Sequence, residues 1–261
     1  MSFKRSKRVK SIKRLIRIIT VALSLVTVGV AAKNAVEVIP DNKVGHKQGL
    51  YEKYIKRPLD FLCSSIALLL LSPVLAITAI AVRLKLGSPV LFSQERPGRD
   101  EKIFRLFKFR TMTDKKDASG ELLPDSERLT PFGARLRSTS LDELPELINI
   151  IKGDMALIGP RPLLVRYLPY YSDRERARHS VRPGLTGVAQ IRGRNYVKWD
   201  ERLSYDVEYA ENISFLRDAG IFIKTIAKVF LREDVAADPT DADEEYFDVV
   251  RKSGQNYSNE Q

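Results

Sequence analysis

The 261 residues carry 44 Lys and Arg against 33 Asp and Glu, a formal charge of +11, and 44% hydrophobic residues. That is enough apolar material for one sizeable core or two small ones, and the charge calls for an acidic partner: nucleic acid, anionic lipid or a phosphorylated substrate. A single cysteine, Cys63, excludes an internal disulfide, and with only two histidines it leaves no Cys/His zinc site, so any metal is held by oxygen ligands, as Mg²⁺ would be.

Residues 1–17 contain eight Lys or Arg and no acid, with Val9, Ile12, Ile16 and Ile19 spaced to form one apolar stripe. The pattern predicts a basic amphipathic helix lying on an anionic membrane surface. It runs into an uncharged segment, Ile18 to Ala32, which is short for a membrane span; a cleaved signal peptide is the rival reading. After a polar linker comes a second apolar run, Phe61 to Val82, with no charge across 22 residues. Its length suits a spanning helix, but Ser72-Pro73 falls at its middle, and both flanks are basic, with Lys56 and Arg57 before it and Arg83 and Lys85 after it. A helix that enters the membrane, turns at Ser72-Pro73 and leaves on the same face satisfies both signals; a spanning helix kinked at proline is the alternative. By the same charge rule, Lys33 to Asp60 is expected to stay cytoplasmic.

From Ser88 the pattern changes to strands. Val90 to Gln94 and Ile103 to Phe109 predict a hairpin around Glu95-Arg96-Pro97-Gly98-Arg99-Asp100. Alternation puts Lys108 and Arg110 on one face, where two cations can grip phosphate oxygens; a solvated basic face is the alternative. Residues 113–130 are polar and read as a mobile loop.

Ser138 to Leu163 is the stretch around which the chain is organised. Leu141, Leu144, Leu147, Ile148 and Ile151 recur at helical spacing, Gly153 is a stop, and Asp142 and Glu143 sit in the first turn. Capping explains this acidic pair without chemistry: Ser140 and Glu143 make a capping-box pattern, and Pro145 shifts the better N-cap to Asp142. Further on, Tyr167 to Arg178 reads as an interfacial helix, with plain packing as the alternative, and Arg182-Pro183-Gly184-Leu185-Thr186-Gly187 with Gly193-Arg194-Asn195 as glycine-punctuated turns that either approach a phosphate or are turns only. Trp199 to Asn212 and Ile213 to Arg232 look helical, and the acidic tail reads as disordered or loosely docked.

Seven motifs then occur in order: Lys56-Arg57-Pro58-Leu59-Asp60, Leu71-Ser72-Pro73, Phe92-Ser93-Gln94-Glu95-Arg96-Pro97-Gly98, Lys108-Phe109-Arg110-Thr111-Met112, Ser140-Leu141-Asp142-Glu143-Leu144-Pro145, Gly159-Pro160-Arg161-Pro162 and Arg182-Pro183-Gly184-Leu185-Thr186-Gly187. Together, over about Tyr51 to Val235, the chain resembles the bacterial sugar transferase family, the monotopic polyprenyl-phosphate phosphoglycosyl transferases. The resemblance implies transfer of a sugar-1-phosphate from a UDP-sugar to undecaprenyl phosphate through a covalent phosphosugar-aspartate, releasing UMP, as the first membrane step of exopolysaccharide or glycan assembly. By resemblance Asp142 is the nucleophile and Glu143 holds Mg²⁺ beside it. A diphosphate under attack by a carboxylate needs its charge neutralised, and Lys108, Arg137, Arg161 and Arg194 are the candidates. Asp218 and Asp206 match family acids near the site, with a helix-surface role as the alternative for each.

The expected fold class is α/β, mostly helical and membrane-associated (monotopic), with a re-entrant helix broken at Ser72-Pro73, a small β-hairpin and interfacial amphipathic helices. Three regions are expected: an N-terminal extension (1–50), the transferase domain (51–235) with its membrane helix at 61–82, and an acidic tail (236–261). The implied location is the cytoplasmic face of the bacterial cell membrane, with no nucleic-acid partner and a homodimer left open. Two other readings use the same features: a membrane-associated metal-dependent phosphohydrolase and a non-enzymatic basic membrane scaffold.

Overall fold

The computed structural model describes residues 48–193, 197–231 and 246–258. The readings of the N-terminal extension, of Arg194 and of most of the acidic tail lie outside those residues.

Tyr51–Lys56 winds as a π-helical turn that runs into α1 (Arg57–Leu70), and α2 (Ser72–Lys85) follows after a bend of 62°. The bend follows from the Ser72-Pro73 pair. Pro73 has no N–H to give to the carbonyl of Leu69, and Ser72 Oγ donates to that carbonyl instead, at 2.8 Å. Among the described residues no single helix is long and apolar enough to cross a membrane, whereas the bent pair together meets both tests. Its two faces differ. Leu62, Ile66, Leu69, Leu70, Ile77, Ile80 and Leu84 point outward and are exposed. Leu68, Leu71 and Leu75 pack inward on Leu106, Leu147 and Ile150, and Val82 packs on Phe109 and Leu136.

The basic flank ahead of α1 corrects the sequence reading. Lys56 and Arg57 are buried in protein: Lys56 Nζ binds Asp218 Oδ2 at 2.6 Å, and Arg57 donates to the carbonyls of Ile150 and Ile151 at 2.7 and 2.9 Å. Desolvated and fully engaged, they cannot serve as charges facing lipid headgroups.

The hairpin forms as expected, β1 (Leu91–Pro97) pairing antiparallel with β2 (Ile103–Phe109). Residues 113–130 are more ordered than a mobile loop. Met112 bridges Leu129, Lys116 bridges Leu122, and Asp125–Arg128 forms a helical turn. Then come α3 (Pro131–Ser138), a 3₁₀ turn (Leu141–Glu143), α4 (Glu146–Lys152) and β3 (Ala156–Ile158).

Tyr167 to Arg178 is not one helix. Pro169 lies inside a 3₁₀ stretch, Val165–Tyr170, and a capping box of Ser172 and Glu175 opens a separate one-turn helix, Asp173–Arg176. Tyr167 and Tyr171 turn into a core with Leu163 and Leu203, so packing accounts for them. The remaining elements are β4 (Gly184–Thr186), parallel to β3, then α5 (Val188–Arg192), α6 (Trp199–Glu211), α7 (Phe215–Leu231) and α8 (Phe247–Ser258). Of the two states expected for the tail, disordered or loosely docked, the described part takes the docked one, as a helix. Phe247, fully buried against Tyr167, Tyr171 and Trp199, is the apolar anchor that docks it. Among the described residues the architecture is mostly helical, with two two-stranded sheets.

Candidate active site

The acidic turn is set by how α4 begins and ends. The expected helix from Leu141 to Ile151 is divided, because proline at 145 cannot donate into an i→i−4 ladder. Its neighbours close i→i−3 bonds instead: Glu143 N to Ser140 O at 3.2 Å, Leu147 N to Leu144 O at 3.2 Å and Ile148 N to Pro145 O at 3.0 Å. Ser140 is left-handed (φ 52°), and neither it nor Asp142 caps the helix through its side chain. The capping account of the acids is therefore overturned.

At its other end α4 stops at Gly153, whose φ of 93° suits glycine and where a Cβ would meet the Arg57 guanidinium at 3.2 Å. Arg57 covers the last carbonyls, favourable at a helix C-terminus, and Arg182 Nε donates to Gly153 O at 2.9 Å. Arg182 is thus a helix-end ligand, which favours the plain-turn alternative for its segment over a phosphate contact. Asn149, fully buried, accepts from Phe107 N at 3.0 Å and donates to Arg105 O at 2.7 Å, acting as a short strand on the free edge of β2. That brace brings Lys108 of β2 over the acids.

Lys108 Nζ lies 2.7 Å from Glu143 Oε1 and 3.2 Å from Glu146 Oε1, and Arg161 Nη2 donates to the same Glu143 oxygen at 2.7 Å. Burial opposes ionisation of Glu143, but Lys108 and Arg161 outweigh it and hold the carboxyl well below its usual range. Asp142, 6% exposed, goes the other way: burial and then the Glu143 charge raise it, against Lys108, Arg137 and Arg161. Arg137 is held by a bond from Nε to Thr111 Oγ1 at 3.1 Å. The turn therefore offers two adjacent carboxylates in a cationic frame, with the charge on Glu143 fixed.

Of the residues expected at the site, Asp142, Glu143, Lys108, Arg137 and Arg161 come together. Three others serve elsewhere. Asp218 is buried beneath the start of α1, accepting from Lys56, from Tyr51 at 2.9 Å and from Tyr209 at 2.7 Å. Asp206 is paired with buried Arg178 at 2.7 Å. Arg110 donates to Ser88 O and Met112 O and pairs with Asp114, holding the chain around the hairpin.

Glu146 was missed. Four residues after Asp142 and three after Glu143, it had helical spacing to both, the one signal that could have found it. Its carboxyl is pushed up to about 7, by burial first, with Lys108 opposing.

The glycine segment follows the plain-turn alternative. Gly184 and Gly159 lie back to back, and a Cβ on Gly184 would sit 2.1 Å from Gly159 N. These glycines let β4 press against the Gly159-Pro160-Arg161-Pro162 corner, and Gly184 N donates to Pro160 O at 2.9 Å.

Among the described residues no group of three or more His, Cys, Asp or Glu is arranged to hold a metal ion. The donor set nevertheless fits a hard cation. Asp142 and Glu143 offer only carboxylate oxygens, and both cations on Glu143 use Oε1. Mg²⁺ is commonly held by one or two carboxylates, with substrate phosphates and water completing the shell.

An Asp-Glu pair framed by Lys and Arg, on a mostly helical body that also carries a bent apolar helix pair, is suited to chemistry on a phosphorylated substrate. Residues 51–232 match the family described as bacterial sugar transferase, and the chain belongs to that family. A sugar transferase of Bacillus subtilis, EpsL, named as uncharacterized, is 48% identical over 181 residues, covering 69% of this chain and 90% of that protein. The UDP-glucose:undecaprenyl-phosphate glucose-1-phosphate transferase of Caulobacter vibrioides is 35% identical over 189 residues, 69% of this chain and 71% of that protein. The undecaprenyl-phosphate galactose phosphotransferase of Salmonella typhimurium is longer; it is 36% identical over 201 residues, which cover 70% of this chain and 42% of that protein.

Proposed function

We propose that this chain transfers a sugar-1-phosphate from a UDP-sugar to a polyprenyl phosphate such as undecaprenyl phosphate, at the cytoplasmic face of the cell membrane, in the first step of glycan or exopolysaccharide assembly. The observation that carries the reading is the Asp142-Glu143 pair with Lys108 and Arg161 closed on one of its oxygens. In the first step an Asp142 oxygen bonds to the phosphorus that bears the sugar, and the bond from that phosphorus to the bridging oxygen breaks, releasing UMP. In the second step a phosphate oxygen of the acceptor attacks the same phosphorus, and the Asp142 carboxylate leaves unchanged.

Each neighbouring residue has a part in this scheme. Lys108, Arg137 and Arg161 draw Asp142 toward its ionised, nucleophilic form and offset the negative charge of the diphosphate. Glu143, kept ionised, would hold Mg²⁺, which when bound supplies charge neutralisation to the phosphate oxygens. The exposed apolar face of α1 and α2 is the surface we assign to the membrane. Both ends of the pair are fixed to one catalytic body, through Arg57 on α4 and through Val82 on Phe109 and Leu136, which supports a re-entrant path.

The relatives' names include both glucose and galactose, so the sugar is decided by assay. The purified protein with undecaprenyl phosphate and Mg²⁺ is offered a panel of UDP-sugars, and UMP release is measured. Release with one or a few donors is expected, with sugar label trapped on protein before acceptor is added. UMP release that does not depend on acceptor, with the sugar recovered as free sugar-1-phosphate and none on lipid, would establish a phosphohydrolase and overturn the proposal.

A further inference from the structure

Arg161 reaches Glu143 from a corner that has little structure of its own. Prolines on both sides fix the neighbouring φ angles and bias Arg161 to extended backbone, but they also remove two N–H donors that would otherwise anchor the turn. The corner is held instead by three successive bonds from outside. Gly159 N donates to Thr186 O at 2.9 Å and Gly184 N to Pro160 O at 2.9 Å. The third comes from a side chain: Arg178 Nη2 donates to Arg161 O at 2.6 Å.

Arg178 is among the most deeply buried charges of the described residues, and its contacts run inward. Nε and Nη2 both reach Asp206 Oδ2, at 3.1 and 2.7 Å, and Nη1 lies 3.3 Å from His179 Nε2. The side chains of Arg178 and Asp206 are 1% and 3% exposed. Such a pair gives little net stability, because the cost of removing two charges from water offsets their attraction. What it supplies is geometry. The planar fork of Arg178 is fixed by Asp206 on α6, and its remaining N–H sets the peptide plane that follows Arg161.

We propose that Arg178, oriented by Asp206, is a positioning residue of the reaction: it aims the Arg161 guanidinium at the acidic turn without itself touching substrate. This rests on the reading above, in which Arg161 serves the donor diphosphate. Lysine at 178 keeps the charge but cannot bind Asp206 through two nitrogens and reach the carbonyl as well.

The test is a double-mutant cycle in the UMP-release assay, with Arg178→Lys and Asp206→Asn each made in the wild-type and the Arg161→Ala background. On wild type each should lower kcat about 10- to 100-fold, since small misplacements of catalytic groups have effects of that size. On Arg161→Ala each should change the residual rate by less than about threefold, because the residue they position is gone. Thermal unfolding of all variants accompanies the kinetics; if Arg178→Lys does not fold, the Asp206→Asn arm decides alone. Equal losses in both backgrounds, or no loss on wild type, overturn the proposal. Full activity of Arg161→Ala overturns the role of Arg161 and this inference with it, while leaving Asp142 chemistry intact.

Discussion

Replacing Glu146 with glutamine tests the electrostatics of the acidic turn directly. Glu146 is 2% exposed, and its carboxyl is pushed up to about 7 from an ordinary 4.5, by burial first and by the Glu143 charge, against Lys108. At 1.36 kcal/mol per pH unit, 7 against 4.5 corresponds to about 3 kcal/mol. The folded state holds a proton that the unfolded chain gives up. Stability from this group is therefore complete below pH 4.5 and is lost as pH rises toward 7. An amide cannot ionise, so Glu146→Gln removes the loss, while Lys108 keeps Glu143 as a partner and gives up one contact worth about 1 kcal/mol. The variant should match wild type or fall slightly below it at pH 4, and exceed it by roughly 1–3 kcal/mol at pH 8. Urea unfolding in detergent micelles at the two pH values reads this out. A variant less stable than wild type at pH 8, or a difference that does not change with pH, would refute the reasoning.

Asp142→Asn should abolish both turnover and the trapped phosphosugar while the protein still extracts and unfolds as wild type; near-normal activity would remove Asp142 from the reaction. Arg161→Lys should lower kcat about tenfold or more, since a point charge replaces a fork, and an unaffected rate would place Arg161 outside the donor site. Arg57→Ala leaves the carbonyls of Ile150 and Ile151 without their donor at the end of α4. With charge-assisted bonds at about 1.5–3 kcal/mol each, a stability loss of about 3 kcal/mol is expected, and a loss under about 1 kcal/mol would show that water replaces the guanidinium. For topology, Lys53→Cys in a Cys63→Ser background should stay unlabelled by a membrane-impermeant thiol reagent in intact cells and become labelled once the membrane is opened. Labelling from outside would make the α1–α2 pair a span and end the re-entrant reading.

The sequence by itself determined several local elements and the family. Period and turn signals placed the β1–β2 hairpin, the two long helices α6 and α7, the break at Ser72-Pro73 and the stop at Gly153, all of which are decided by neighbours within a few residues. Ordered motifs likewise marked Asp142, Glu143, Lys108 and Arg161, and the charge that a diphosphate needs offset added Arg137, just ahead of the acidic motif.

Only the tertiary structure decided which charges face the reaction and which hold the frame. Lys56 and Arg57 looked like membrane flanks, Arg182 like a phosphate ligand, and Asp206 and Asp218 like site acids. Each is engaged by a partner far along the chain: Lys56 with Asp218, Arg57 and Arg182 with the end of α4, Asp206 with Arg178. The parallel pairing of β3 with β4 and the docking of Phe247 were unreadable for the same reason. A charged side chain carries the same local signal whether it ends in solvent, on a substrate or on a buried carbonyl, and the choice is made by long-range packing, which sequence spacing does not encode.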